Sequence, residues 1–305
     1  MLVLFSLWVP ESFLTSSTWS TIAGSNAIIA LLALGLLVSL AAGAYDLSFA
    51  QNAGFSAIVV GLLMTQGPQL GVVPAILVTL VIGTLVGAFN GCLVGFLGVD
   101  SFIATLGTVA LLQGGAAFIS SGEYVGPFSS SFTAITGQSF FGVPIMFVYA
   151  LIGAVIVWYA LEHTPLGRRC FASGANPDAA RLAGIRTRRF VIGGLVFSGA
   201  MASLAGVLLA SSLNSVNQNI GPQYMLPVFA AAFLGTTQFK LGRFNVWGTF
   251  LAVYLLGTGV QGLQLAGAEV WVTNVFNGAA LIIAVIYARN LNQRRKRREV
   301  EASES

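Results

Sequence analysis

Charge is scarce in this sequence, and lysine and arginine are missing from its first 167 positions. Charged residues make up 8% of the 305 residues and apolar ones 56%, with a mean hydropathy of +0.86. A soluble domain carries about 25% charged residues, so the polar surface that a water-soluble globule of this length needs is absent. There is no GxxxxGK[ST] phosphate loop, and lysine occurs only at Lys240 and Lys296. That excludes nucleotide hydrolysis on a phosphate-cradling loop of this chain. The single histidine, His163, has no Cys, Asp or second His around it in a ligand pattern, so no metal site is expected. The two cysteines, Cys92 and Cys170, lack CxxC spacing. One falls in an apolar run and the other in a basic loop, so they are not expected to pair. No cluster of His, Asp, Glu and Cys shares one membrane depth, which argues against a membrane-embedded enzyme, and no cofactor of its own is expected.

What is present is apolar sequence in long runs, interrupted by basic loops. All 14 Lys and Arg residues lie beyond Gly167: six between Arg168 and Arg189, then Lys240 and Arg243, and six from Arg289 to Arg298. The pI of about 9.3 could suggest nucleic-acid binding, but this placement argues against it. The positive-inside rule instead puts the basic loops and the C-terminus on the cytoplasmic side of a membrane. At about 20 apolar residues per crossing, spans are expected near 21–42, 48–66, 70–97, 101–120 and 143–161. Four more are expected near 190–211, 224–239, 246–264 and 270–288. The turn-rich segments Ser120–Gln138 and Ser211–Gln223 then face outward. Met1–Val9 is too short to cross and reads as the outer half of a first span; without a preceding basic residue it does not read as a signal peptide. The fold class is therefore all-α: a polytopic membrane bundle of about nine to ten helices. Residues 1–288 form one membrane domain and 289–305 a basic cytoplasmic tail.

Three local patterns stand out. Gly83, Gly87, Gly91 and Gly95, spaced four apart, share one helix face and predict close helix packing. A pathway-lining role for neighbouring Asn90 is the sharper alternative. In GAYDLS (Gly43–Ser48), Asp46 is a carboxylate between two apolar spans. It is placed near their cytoplasmic ends as a structural acceptor for backbone N–H groups of the next helix, with transport chemistry as the alternative. In the basic loop His163–Phe190, Asn176–Gly184 reads as a short capped helix: Asn176 at the N-cap, Pro177 at N1, Asp178 opposing the dipole and Gly184 able to take the left-handed stop. Such a rod, held off the membrane, suits either docking or an interfacial structural role.

These phrases resemble the sugar permeases of bacterial ABC importers, the ribose, xylose, arabinose and galactose type. The loop matches their TPLGRR…GGNPxAARLxGI pattern at Gly174, Asn176, Ala179, Ala180, Arg181, Leu182, Gly184 and Ile185. GAYDLS resembles their GIDLS, and DSFIATLGT at Asp100–Thr108 their SFIATLG phrase; Asn90–Gly91 and Gln261–Leu263 also fall in place. The resemblance spans about Phe13 to Ala288. It implies that the segment containing Gly174, Asn176, Pro177, Asp178, Ala179, Ala180, Arg181, Leu182 and Gly184 is a coupling helix seated on a separate ATPase subunit, which holds the ATP and Mg. It also implies a second permease subunit, identical or not, an extracytoplasmic solute-binding protein, and residence in the bacterial inner membrane. The family's glycine-rich turn is here the bulkier Gly235–Gly248, with Phe239, Lys240, Arg243 and Phe244, and an acidic residue common in the family is absent from Gln223–Gly235. A path for a neutral polyol needs hydrogen-bonding groups, for which Asn26, Asn90, Gln113, Asn274 and Asn277 are candidates. The competing classes are an ion-coupled secondary transporter, for which only Asp46 and Asp100 offer intramembrane charge, and an ABC permease for a nucleoside, an autoinducer-like sugar or a branched-chain amino acid.

Overall fold

The apolar runs fold as helices because a chain in hydrocarbon must satisfy its backbone N–H and C=O groups internally. The computed structural model describes residues 1–304, with side chains described except at Leu2, Val3, Val270 and residues 289–304. Two short helices, α1 (Leu2–Trp8) and α2 (Pro10–Phe13), precede α3 (Ser16–Ala41), α4 (Phe49–Thr65), α5 (Val72–Gly95) and α6 (Ser101–Ser120). A segment with α7 (Ser130–Gly137) and an antiparallel hairpin, β1 (Ser139–Phe140) and β2 (Val143–Pro144), leads into α8 (Ile145–His163). Then come α9 (Pro165–Ala175), α10 (Pro177–Leu182), α11 (Thr187–Leu213), α12 (Met225–Gly235), α13 (Val246–Leu265) and α14 (Val270–Glu304).

All nine expected spans fall on helices. Among the described residues seven are long and apolar enough to cross a bilayer: α3, α5, α6, α8, α11, α13 and Trp271–Ala288 of α14. The other two are shorter. α4 has 17 residues, and the span expected at 224–239 is an 11-residue helix, α12. Residues 214–224 instead run back into the bundle from the far end of α11. Gly221 rests against Ala50 and Gln51 of α4, where a Cβ would lie 2.5 Å from the Ala50 carbonyl oxygen. Pro222 opens the 3-10 turn before α12, and Pro227 sits in its first turn, where no intrahelical N–H is required.

The arginines from Arg168 to Arg189 mark one end of the bundle, called here the basic end. α3 and α5 finish there: Gly43 touches Gly174, and Gly95 packs against Ile192 and the Arg188 carbonyl. α4 and α6 run away from it, and the Gly61 position of α4 meets Val125 and Phe128 at the opposite end. α11 and α13 leave the basic end, whereas α12 and α14 return to it. The order α3-α4-α5-α6 is thus repeated upside down by α11-α12-α13-α14. In each half the first two helices are joined by a segment that re-enters the bundle, 42–48 in one and 214–224 in the other. α11 lies at the centre, packed on α3, α4 and α5.

The glycine positions fix how close that packing is. A Cβ at Gly83 would lie 2.3 Å from Ser203 Cβ, and one at Gly87 would lie 2.4 Å from the Leu195 carbonyl oxygen. At Gly91 and Gly95 the neighbour is Ile192, at 3.1 Å and 2.5 Å. All four face α11.

Met1–Val9 forms α1, whose seven residues reach about 10 Å. It lies at the end opposite the basic one, with Met1 against Gly259 and Phe5 against Gly262 of α13. The basic tail continues α14 to Glu304; its side chains, and Ser305, lie outside the described residues. Cys92 is exposed and Cys170 buried, both as free thiols. Burial pushes the Cys170 thiol up to about 11, so it is a poor nucleophile.

Candidate functional site

Three polar constellations interrupt this apolar bundle. The first is at the re-entrant segment 42–48. The N–H groups of Ala42 and Ala44 bond back to carbonyls of Val38 and Ser39, which turns the chain inward. Tyr45 N donates to Ser101 Oγ and Leu47 N to Thr105 Oγ1, each at 3.0 Å, so the hydroxyls of α6 take up N–H groups that no helix satisfies. Asp46 is 1% exposed. Its Oδ1 accepts from Ser48 N at 2.9 Å and Ser48 Oγ at 2.6 Å, and the Ser198 hydroxyl of α11 faces the same carboxyl. Asp46 lies buried beside the first turns of α6, because the chain doubles back before α4 begins.

Asn90 completes this network. Its Nδ2 donates to Ser48 Oγ at 2.8 Å, and its Oδ1 accepts from Thr108 Oγ1 at 2.6 Å. Asn90 is wholly buried, so both ends of its amide are used between α4, α5 and α6. One turn on, Asn52 Nδ2 donates to the carbonyls of Gly83 and Gly199 at 3.1 and 3.2 Å, where the glycines let α4, α5 and α11 meet.

The second constellation is a cavity of 490 Å³ near the opposite end, between α3, α12, α13 and α14. Asn26, Asn274 and Asn277 line it, together with Gln223, Gln261 and Gln264. Among the described residues none of those lining it is charged. Asn26 Nδ2 donates to Ile22 O at 2.8 Å, and its amide covers Gly257 so closely that a Cβ there would lie 2.2 Å from Oδ1. Of the five path candidates, three therefore meet here. Asn90 is locked in the network above, and Gln113 stands exposed on the outer face of α6. In the sequence Gln261 stands out only within the family resemblance, and none of the three glutamines is among the path candidates. Their signal was present: Gln261 and Gln264 sit three apart on an otherwise apolar helix, and so do Asn274 and Asn277, which puts each pair on one face.

The third constellation is the basic end. Thr164 caps α9, accepting from Gly167 N, with Pro165 at N1. Asn176 Oδ1 caps α10, accepting from Ala179 N at 3.1 Å; Pro177 is at N1, and Gly184 stops the segment with φ of +79°. Asp178 pairs with Arg181 on the exposed side. Ala180 is buried, whereas Leu182 is 92% exposed, so α10 rests on the bundle by one face and offers an apolar tip on the other. The bulky turn before α13 ties down the same end. Lys240 pairs with Glu162 of α8, and the Arg243 guanidinium lies 3.7 Å over the Phe171 ring of α9. Asn245 then caps α13, accepting from Gly248 N at 2.7 Å. His163 ends α8 stacked on Tyr159 and edge-on to Trp158.

Comparison with known proteins gives these features a context. Residues 18–285 match the family model described as branched-chain amino acid transport system / permease component. The chain is similar to the autoinducer 2 import system permease protein LsrD of Salmonella typhi and of Salmonella typhimurium. Each is 31% identical over 265 residues, covering 85% of this chain and 79% of the relative. It is likewise similar to the protein of that name from Yersinia pseudotuberculosis serotype O:1b, at 32% identity over the same shares. No solved structure matches the chain.

Proposed function

Because this chain belongs to the family of branched-chain amino acid transport system permease components, the membrane subunits of ATP-binding-cassette importers, we propose that it passes a monosaccharide or a closely related neutral polyol. As a permease subunit it is a transport component rather than an enzyme, and such permeases work with an ATPase and a binding protein. The observation that carries the solute assignment is the cavity where Asn26, Asn274, Asn277, Gln223, Gln261 and Gln264 converge without a charged residue. Amides donate and accept, which suits a hydroxyl-rich solute. An amino acid would bring an ammonium and a carboxylate, and a cavity without countercharge is a poor host for either. The similar permeases named for autoinducer 2, a sugar-like molecule, agree with this.

In this proposal the basic end is cytoplasmic, by the positive-inside rule, and the amide cavity opens on the outer side, where a solute-binding protein delivers its load. α10, with Leu182 at its tip and Gly174 of α9 packed on the end of α3, is the coupling helix that seats on the ATPase chain, which holds ATP and Mg. A second permease subunit completes the path. Asp46 and the four glycines of α5 are structural and do not touch the solute.

The test is ATP-driven uptake in proteoliposomes containing this chain, its ATPase and its binding protein. Labelled pentose or hexose is expected to accumulate, and leucine is not; leucine uptake without sugar uptake would overturn the solute assignment. Ala180→Pro removes the N–H that bonds Asn176 O at 3.0 Å and costs α10 about 3 kcal/mol. Folded permease is expected at normal levels, with weak ATPase binding and no coupled uptake. Normal coupled uptake by this variant would refute the role given to α10.

A further inference from the structure

Beside α10 the basic end holds a groove that solute import does not use. It is a cavity of 740 Å³ between α8, α9 and the start of α11. Its walls are apolar, with Ile156, Val157 and Phe197 among them, and Arg169, Arg186 and Arg189 line its mouth. The three arginines are exposed, and among the described residues the ion pairs are Asp178–Arg181 and Glu162–Lys240, which leaves these three without an acidic partner. α11 also begins here with no side-chain cap, so its positive end adds to the field. A second apolar cavity, of 400 Å³, shares Ile156, Val157 and Phe197 with the first and continues between α8 and α11 toward Met201 and Tyr149. From Arg189 to Met201 the helix rises about 18 Å, close to the hydrocarbon depth of one leaflet, about 15 Å. Both flanking helices are long and apolar enough to cross a bilayer.

An anion-attracting mouth on a leaflet-deep apolar slot is complementary to an amphiphile with an anionic head. We propose that this groove binds one anionic phospholipid, its phosphate among Arg169, Arg186 and Arg189 and an acyl chain along Gly193, Phe197 and Met201. Gly193 gives the chain its room, since nothing lies within 4 Å of the Cβ it lacks. The exposed Leu182 and Arg181 of α10 are not among the walls, whereas Gly184 at the end of that segment is, so the groove adjoins the surface proposed to meet the ATPase and leaves the tip of α10 free.

Native mass spectrometry of the full chain, released from vesicles of equal phosphatidylglycerol and phosphatidylcholine, reads this directly. Phosphatidylglycerol is expected to stay bound in preference to phosphatidylcholine. Each arginine beside a phosphate is worth on the order of fivefold in retention. Arg189→Gln should lower retention by about that factor, and the triple Gln variant should abolish the preference. Gly193→Leu fills the slot without changing charge and should also release the lipid, while its melting temperature in pure phosphatidylcholine stays at the wild-type value. Arg188→Gln removes the same charge outside the groove and should retain lipid. Equal retention of the two lipids, equal loss in Arg188→Gln, displacement by glycerol phosphate alone, or displacement by purified ATPase subunit would each overturn the proposal. Sugar uptake enters none of these readouts, so they stand apart from the solute assignment.

Discussion

The two inverted halves solve one problem in opposite ways. Each breaks a membrane crossing with a re-entrant segment, and each break leaves backbone polar groups to satisfy inside the bundle. In the α3–α6 half the break is short and closed. Asp46, Ser48, Asn90 and Thr108 form a continuous hydrogen-bonded chain through three helices, and α5 meets α11 backbone to backbone at Gly87. In the α11–α14 half the break is longer, the helix after it is shorter, and the amides beside it line a cavity. Beside that cavity Gly257 meets the Asn26 side chain instead of backbone, while α12 and α13 meet backbone to backbone only nearer the basic end, at Gly235 and Gly248. The same topology thus yields a clamp in one half and a polar chamber in the other. Membrane transport folds place solute sites where helices are broken between such repeats.

That contrast can be broken at its glycines. Gly87→Leu should have the largest effect, because the new side chain meets the Leu195 carbonyl and the backbone cannot yield locally. Overpacking of this kind costs about 3 kcal/mol or more, and little monodisperse protein should survive detergent extraction. A normal yield would show that α5 and α11 are not locked together. Asp46→Ala comes next. It removes the acceptor for Ser48 N and Oγ, each left buried, at about 2 kcal/mol. A lower melting temperature with unchanged solute preference is expected, and a changed preference would move Asp46 into the path. Gly257→Ala is the mirror experiment. Its Cβ displaces the Asn26 amide, a side chain that can turn, so folded protein should persist while the apparent affinity for solute falls about fivefold, the worth of one hydrogen bond. Collapse of that variant would make the second half as rigid as the first.

Much of this was legible in the sequence, and the failures share one cause. Local signals survived: nine helical segments, the glycine face, and the Asn176, Pro177 and Gly184 signature of α10 all depend on residues near one another in the chain. Asn90 could not be told from a path residue, since its partners Ser48 and Thr108 are 42 and 18 positions away. The run 224–239 reads as an unbroken crossing, yet residues 214–224 have already entered the bundle against α4, and only the remainder needs to be helical. The Thr164–Pro165 start of α9 is a local signal of the same kind as that of α10, here a capping hydroxyl followed by proline at N1. Gln261 and Gln264 do not read as path residues for the opposite reason. Amides in membrane helices most often serve packing, and their partners across the cavity come from three other helices.

The smallest expected effect compares two amides at one depth, one in each half. Gln113 lies seven residues before the end of α6, and Asn277 seven residues after the start of α14. Each therefore stands about 10 Å from the end opposite the basic one. The inversion that relates α6 to α14 exchanges their ends, so the two amides are level without being counterparts, one exposed and one lining the cavity. An amide facing hydrocarbon is unfavourable, whereas one facing a path completed by a second permease subunit is useful. Gln113→Leu separates these environments. If the α6 face lines the path, melting temperature should stay constant and uptake should fall two- to threefold, about half the worth of a buried hydrogen bond. If that face meets lipid, removing the amide should raise the melting temperature and leave uptake unchanged. The first outcome is expected, because Gly107 and Gly114 beside it also face open space, and a surface of small residues around an amide is shaped for close approach by another helix.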